Sequence, residues 1–203
     1  VGTANTGGAV AITYGGTISA NGLATVVSIE DRVAGAGNVT LTGNISRGMG
    51  SGTTINVDDI AAGTITLSGA SNSLKSSTAT ALSIADVSAG ATVNLSGNLN
   101  INITTGGTGI AITNNNGEVS FTAGYINATT KTGSGVSITG GAGSTAFNLT
   151  GNGLDITTTT GTGFNVANAG TVAVQGDGNT IASSSGIGLS VTNSTIGASD
   201  LNF

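Results

Sequence analysis

Residues 107–124 read GTGIAITNNNGEVSFTAG and contain two pairs of apolar residues, Ile110/Ile112 and Val119/Phe121, each separated by one small residue. Successive side chains of a β-strand point to opposite faces, so each pair places two apolar side chains on one face. The same two pairs recur along the chain at a nearly constant spacing. Such a period is the sequence signature of a repeat architecture.

Three series of strands follow from this period. Series C, to which Ile110/Ile112 belongs, repeats at intervals of 28, 27, 28, 26, 28 and 25 residues. Its members are Val27/Ile29, Ile55/Val57, Leu82/Ile84, Ile110/Ile112, Val136/Ile138, Phe164/Val166 and Leu189/Val191. Series A precedes each of them by 16 or 17 residues: Val10/Ile12, Val39/Leu41, Ile65/Leu67, Val93/Leu95, Val119/Phe121, Phe147/Leu149 and Val172/Val174. Series B has one apolar position between A and C: Ile18, Ile45, Leu74, Ile101, Ile126, Ile156 and Ile181.

Three short strands in each period of about 27 residues predict one triangular coil, and stacked coils form a right-handed parallel β-helix, or β-solenoid. The chain is thus predicted to be all-β, with about seven coils and an apolar interior. At about 4.8 Å per coil, seven coils make a rod about 34 Å long. The composition agrees, because Pro is absent and Gly, Thr, Asn and Ser disfavour helix.

Glycines mark two corners of the predicted coil. One group follows series A: Gly43, Gly69, Gly97, Gly151 and Gly176, with Asn44, Asn98 and Asn152 next to three of them. We expect a tight corner with positive φ there, which Gly and Asn tolerate. A Gly-x-Gly element also precedes series C in four successive coils: Gly107/Gly109, Gly133/Gly135, Gly161/Gly163 and Gly186/Gly188. Because no helix follows these glycines, they indicate a corner rather than a phosphate-binding loop.

Neither end of the sequence has the character of a cap, which a solenoid needs to cover its open strands. Residues 1–8 (VGTANTGG) resemble the end of a preceding coil. Leu201 and Phe203 lie 29 residues after Val172 and Val174 and begin an eighth strand of series A. We therefore expect residues 1–203 to form a single uncapped array, either a segment of a longer repeat protein or a filament subunit that stacks end to end.

The composition excludes several function classes. His and Cys are absent, which removes Ser-His-Asp and Cys-His nucleophile pairs and zinc sites with His or Cys ligands. The net charge is −5, and the only basic residues, Arg32, Arg47, Lys75 and Lys131, are scattered. Nucleic acids and anionic membrane surfaces need clustered basic residues, and no apolar run approaches the ~18 residues that span a bilayer. We expect no nucleic-acid partner and no membrane insertion by this segment.

Acidic residues cluster at one place, directly after series C, as Asp31, Asp59 and Asp86. Carboxylates stacked one coil apart repel each other, which favours a bound cation or raised pKa values. Ca²⁺ held by Asp31, Asp59 and Asp86 is one interpretation. The other, which we prefer, is a corner where Asp and Asn side chains cap the turn, because Asn114, Asn168 and Asn193 occupy the equivalent positions. Apart from this calcium candidate, we expect no cofactor.

Catalysis is the first alternative function, as a polysaccharide-binding or polysaccharide-cleaving β-helix. Glycosidases need two carboxylates across a cleft, and only Asp58 and Asp59, with Arg32 or Arg47, approach such a set. Adjacent strand residues such as Asp58 and Asp59 point to opposite faces. We therefore expect no enzyme and no catalytic residues.

Ice binding is the second alternative. Outward positions around series A form a ladder of hydroxyl groups that would order water: Thr40, Thr42, Thr66, Ser68, Ser120 and Thr122. Asn and Ser interrupt the ladder, and Thr suits any exposed strand. The interpretation that we prefer is solubility, with ladders of side-chain hydroxyl groups.

The chain resembles the repeat regions of large bacterial surface adhesins, the passenger stalks of autotransporters and filamentous-haemagglutinin-like proteins. The resemblance rests on residues 107–124 and on TTTTGTGFNVANAGTVAVQG (157–176). It implies an extracellular or bacterial cell-surface location and a structural or adhesive role as a stalk, an adhesin or a surface filament or biofilm matrix. The implied partners are neighbouring repeats, identical subunits stacked end to end, or a host-surface or glycan receptor.

Overall fold

The computed structural model describes residues 10–203, and this part of the chain contains 22 β-strands and no helix. In chain order the strands are β1 (Ile12–Tyr14), β2 (Ile18–Ala20), β3 (Val27–Arg32), β4 (Val39–Leu41), β5 (Ile45–Arg47), β6 (Ile55–Ile60), β7 (Thr64–Leu67), β8 (Ser71–Ser76), β9 (Leu82–Ala85), β10 (Thr92–Leu95), β11 (Asn98–Ile103), β12 (Ile110–Thr113), β13 (Glu118–Phe121), β14 (Tyr125–Thr129), β15 (Val136–Thr139), β16 (Ser144–Asn148), β17 (Gly153–Thr158), β18 (Phe164–Ala167), β19 (Thr171–Gln175), β20 (Thr180–Ser183), β21 (Leu189–Thr192) and β22 (Thr195–Leu201).

Each strand pairs in parallel with the strand three places later in the chain, and this pairing produces three sheets along one axis. Sheet A has eight strands, β1-β4-β7-β10-β13-β16-β19-β22. Sheet B has seven, β2-β5-β8-β11-β14-β17-β20, and sheet C has seven, β3-β6-β9-β12-β15-β18-β21. Sequence neighbours in a sheet are therefore about one period apart, as in the pairing of Ile110 with Leu82 and Val136. The predicted all-β solenoid of about seven coils is confirmed.

The interior of the coils is a continuous apolar core. Inward side chains of all three sheets are almost fully buried from the second coil to the sixth. Phe121 and Phe147 stack with ring centroids 4.4 Å apart, and Phe164 meets Phe147 edge to face at 5.9 Å. Each coil thus buries its apolar side chains against its two neighbours, which is the source of stability in a solenoid.

The predicted register of sheet C is confirmed in every coil, but two members of series A were wrong by two residues. Ile12 and Tyr14 pair with Val39 and Leu41, so the first pair is Ile12/Tyr14 rather than Val10/Ile12. In the sixth coil the inward residues are Thr145 and Phe147 instead of Phe147 and Leu149. Both errors arise because Tyr14 and Thr145 carry polar groups at inward positions, where the apolar pattern does not reveal them.

Sheet B has two inward positions in each coil, not the single one predicted. Asn72 pairs with Leu99 and Leu74 pairs with Ile101, whereas the backbone N–H of Ile45 donates to Asn72 Oδ1 over 2.9 Å. Asn72 therefore occupies the first inward position, the one that Ile45 fills in the preceding coil. Leu74 occupies the second inward position. Buried polar side chains again concealed the register.

Glycine is needed after the strands of sheet A for a different reason from the one predicted. Of the five, only Gly176 has positive φ (98°). The others lie where the backbone of the preceding coil approaches closely: a Cβ at Gly151 would stand 2.5 Å from the carbonyl oxygen of Gly124. Asn98 is likewise not in a left-handed conformation; its Oδ1 accepts the backbone N–H of Tyr125 at 3.1 Å and links two coils.

The last strand, β22, is the predicted eighth strand of sheet A, but its register differs from the prediction. Ile196 pairs with Val172 and Leu201 pairs with Val174, with an irregularity between them. Phe203 contacts Phe164 edge to face, with centroids 5.3 Å apart. The predicted preceding coil in residues 1–8 lies outside the described residues.

Candidate functional site

The corner after sheet C holds a column of residues in the left-handed conformation. In six of the seven coils the residue is Asp or Asn, with φ between 47° and 53°, and the fifth coil has Gly140 with φ 70°. The six are Asp31, Asp59, Asp86, Asn114, Asn168 and Asn193. Asp and Asn are the non-glycine residues that enter this region most readily. The backbone of the corner therefore accounts for Asp and Asn at this position.

The acidic part of the column borders a polar hollow of about 560 Å³, lined by Asp31, Asp58, Asp59, Asp86, Ser88 and Asn116. Loss of water around its carboxyl, and secondly repulsion from Asp86, raise the pKa of Asp58 above its ordinary value. Asn114 Nδ2 donates to Asp86 Oδ1 over 3.2 Å, which holds one carboxylate of the column.

Glu30 lies beside Asp58 on the outer face of sheet C and is held by neutral donors. The Ser28 hydroxyl and Asn56 Nδ2 donate to its Oε1, the latter over 2.7 Å. These hydrogen bonds lower the pKa of Glu30. Within residues 10–203 there is no group of three or more acidic side chains that could hold a metal ion. Calcium binding by Asp31, Asp59 and Asp86 stays a prediction.

The two arginines considered beside Asp58 and Asp59 lie inside the solenoid. Arg47 is 2% exposed, and its guanidinium donates to the carbonyl oxygens of Gly22 and Gly52. Arg32 is 7% exposed and donates to the carbonyl oxygen of Gly37 over 2.5 Å. The Nε atoms of both arginines are buried without a partner. Their hydrogen bonds go to backbone carbonyls of the first two coils.

The hydroxyl ladder on sheet A forms two columns. Thr40, Thr66 and Ser120 share the first column with Asn94, and alanines continue it in the sixth and seventh coils. Ser120 is only 9% exposed. The second column follows the strand ends, where each N–H donates to the preceding coil, and includes Thr42, Ser68 and Thr122. A column broken by Asn and Ala does not favour a regular ice-binding face, and that alternative stays a prediction that thermal hysteresis tests.

A groove on the outer face of sheet B brings together residues that the sequence pattern did not assemble. It has a volume of about 440 Å³ and is lined by Asn100, Tyr125, Ile126, Asn127, Asn152, Gly153, Asp155, Gly178 and Thr180. Asn100 Nδ2 donates to Tyr125 Oη over 3.2 Å. On the other side, Thr180 Oγ1 donates to Asp155 Oδ1 over 2.5 Å. The available signal was Tyr125, one of the few aromatic residues of the chain. Its neighbours follow only from the register of sheet B.

Comparisons with protein-family models, with curated proteins and with solved structures find no match for this chain. Between residues 10 and 203 no helix is long and apolar enough to cross a membrane.

Proposed function

We propose that the chain is an extracellular structural and adhesive module, a stiff rod at the bacterial cell surface that carries a binding surface away from the cell. The observation that carries the proposal is the parallel pairing of all three sheets from the first coil to the last. A rod with continuous hydrogen bonding along its axis resists bending and leaves few loops for proteases.

Polar side chains inside the solenoid strengthen the connection between coils. The amide of buried Asn72 accepts the N–H of Ile45 and donates to the carbonyl oxygens of Gly69 and Asn98, at 2.9, 2.8 and 3.2 Å. Asn179 repeats this arrangement, with hydrogen bonds to Leu154, Gly176 and Asn202 between 2.8 and 2.9 Å. Each of these side chains ties three successive coils together, as suits a module that transmits force along its axis.

The terminal coils support an end-to-end partner, either a neighbouring repeat or an identical subunit. Leu189 and Val191 in β21 are 46% and 37% exposed, whereas Phe164 and Val166, which precede them in the same sheet, are fully buried. At the opposite end an apolar hollow of about 470 Å³ is lined by inward side chains of the first two coils, Ile12, Ile18, Val27, Ile29, Val39 and Leu41 among them. Covering such apolar edges would extend the same three sheets.

The location is tested on intact cells of the source organism. An antibody against the purified chain is expected to label unpermeabilised cells, and external protease is expected to remove that label. Labelling that requires lysis would refute the extracellular role, whatever the assembly state.

The assembly is tested by negative-stain electron microscopy with light scattering on the same sample. Discrete short rods would indicate a stalk module, and long uniform fibres would indicate a filament subunit. Globular particles of no fixed axis would contradict the rod. We propose no catalytic role, and release of sugar fragments from polysaccharides by the purified chain would contradict that part of the proposal.

A further inference from the structure

We propose that the groove on sheet B binds a neutral oligosaccharide laid along the rod axis. This inference rests on the proposed surface role for its biological setting only. The binding itself is a property of the purified chain.

The outward column of sheet B changes its chemistry where the groove begins. In the first three coils the column consists of serines: Ser19, Ser46 and Ser73. In the next four it consists of three longer side chains, which present amide and carboxylate groups, and one threonine: Asn100, Asn127, Asp155 and Thr180. All four of these side chains are exposed. Solubility alone would be served by serine throughout, so the longer groups point to recognition.

Tyr125 provides the aromatic surface of the groove. Its N–H is fixed by Asn98 and its hydroxyl by Asn100, which hold the side chain against the sheet. The residue paired with it on the next coil is Gly153, which has no side chain to cover the ring. A side chain at Gly153 is disfavoured, because its φ is 79° and a Cβ would stand 2.6 Å from the carbonyl oxygen of Asp177. The structure thus keeps space open next to the tyrosine.

The polar groups of the groove suit vicinal hydroxyls. An amide offers two donors and an acceptor, and a carboxylate offers two acceptor oxygens. Asp155 is oriented by the hydroxyl of Thr180 through Oδ1, so Oδ2 points away from that bond and is available to a ligand. Asn127 lies between Asn100 and Asp155 in the column. Planar amide and carboxylate groups beside an aromatic ring match the two surfaces of a pyranose, its hydroxyl edge and its C–H face.

The spacing and the charge define the ligand further. Successive members of the column are about 4.8 Å apart, close to the length that one pyranose unit adds to an extended glycan. The column therefore presents one polar group per sugar unit over four coils. Asp155 is the one charged residue that lines the groove and makes it acidic, which repels uronic acids and sialic acids. A neutral hexose or N-acetylhexosamine chain is the class that fits.

The test is isothermal titration of the full chain with neutral hexasaccharides of β-1,4-linked glucose, mannose, galactose and N-acetylglucosamine, and with hexagalacturonate as the acidic probe. At least one neutral probe is expected to bind, and hexagalacturonate is expected to bind at least about tenfold more weakly. Absence of binding by all four neutral probes at ~10 mM would overturn the proposal. Equal or tighter binding of hexagalacturonate would overturn it as well.

Variants locate the site. Tyr125→Ala and Asn127→Ala are each expected to weaken binding about tenfold, through loss of the ring surface and of the amide hydrogen bonds. Asn94→Ala is the matched control, because Asn94 also lies in an outward column but belongs to sheet A. The affinity of this variant for the oligosaccharide should stay within about twofold of wild type. Thermal unfolding of each variant checks that it is folded. Because Asn127 is exposed, Asn127→Ala should stay folded and gives a result even if Tyr125→Ala unfolds. Unchanged affinity in Asn127→Ala and in a folded Tyr125→Ala would place the ligand elsewhere. Failure of this test leaves the surface location, measured on cells, unaffected.

Discussion

Two adjacent glycines, Gly106 and Gly107, provide a sharp test of how the coils approach each other. Neither has a left-handed φ, so an alanine is compatible with the backbone at both positions. A Cβ at Gly107 would stand 2.0 Å from the carbonyl oxygen of Ala79 in the preceding coil. A Cβ at Gly106 meets nothing closer than Thr132 Oγ1 at 3.8 Å. The two substitutions change the same chemistry and differ only in this contact.

The cost of Gly107→Ala follows from the distance that the coils must separate. To reach 3.4 Å, an ordinary van der Waals distance, the coils must open locally by about 1.4 Å. The hydrogen bonds next to this position, from the N–H groups of Ala81 and Leu82 to the carbonyls of Thr108 and Gly109, are 3.0 and 3.1 Å long. Such an opening breaks both. Two lost backbone hydrogen bonds and the overpacking together predict a loss of about 3 kcal/mol in the free energy of unfolding.

The assay is urea unfolding at 25 °C, followed by circular dichroism, with hydrogen exchange to locate the change. Gly107→Ala is expected to lose about 3 kcal/mol and to lose protection at Ala81 and Leu82. Gly106→Ala is expected to be neutral or to gain about 0.5 kcal/mol, because alanine restricts the unfolded chain. If the two variants differ by less than about 0.5 kcal/mol, which is the usual range of surface substitutions, the explanation of these glycines by close approach is refuted.

The further predictions concern the corner, the interior and the pH dependence of stability. Asn168→Ala should lower the free energy of urea unfolding by about 1 kcal/mol, and Asn168→Gly should not lower it measurably, because the backbone of Asn168 is in the left-handed conformation. Equal stabilities of the two variants would contradict this explanation of the corner. Asn72→Ala should cost about 2 kcal/mol in the same assay, because it leaves the N–H of buried Ile45 without an acceptor. Ile112→Asp should melt the adjoining coils at a cost on the order of 4 kcal/mol, and an unchanged melting curve would exclude the register of sheet C. Asp58→Asn should raise the free energy of unfolding by about 0.5 kcal/mol at neutral pH. Because folding raises the pKa of Asp58, this gain should shrink as the pH falls through the pKa of the folded state. It should vanish below the ordinary pKa of 3.8. Glu30→Gln should lower the free energy of unfolding above pH 4.5, the ordinary pKa of the group, because folding lowers the pKa of Glu30. Parallel pH profiles of stability in the two variants would contradict both assignments.

The fold class was predictable because sheet C repeats without exception. Its inward pairs are apolar in every coil, so their alternation and spacing fix both the period and the register. The acidic corner was predictable for the same reason, since it follows sheet C at a constant distance. The prediction failed where an inward position is polar, as at Asn72 and Thr145, because a buried side chain that satisfies backbone groups has the same letter as an exposed one.

The role of the glycines required the tertiary structure. From the sequence, Gly97 suggests a positive φ and Gly107 suggests a corner, but neither residue has a positive φ. What excludes a side chain there is the backbone of a neighbouring coil, about one period away in the chain. No local pattern contains that information.

The sequence by itself determined the strand period, the three-sided coil and the apolar interior, because alternation and spacing are local properties of the chain. Only the tertiary structure decided which outward side chains become neighbours, and so placed Tyr125 beside Gly153 and Asn127 beside Asp155. The physical reason is that coil stacking converts a separation of about 27 residues into a distance of about 4.8 Å. An offset of one or two residues in a single coil, caused by one buried polar side chain, changes every such contact.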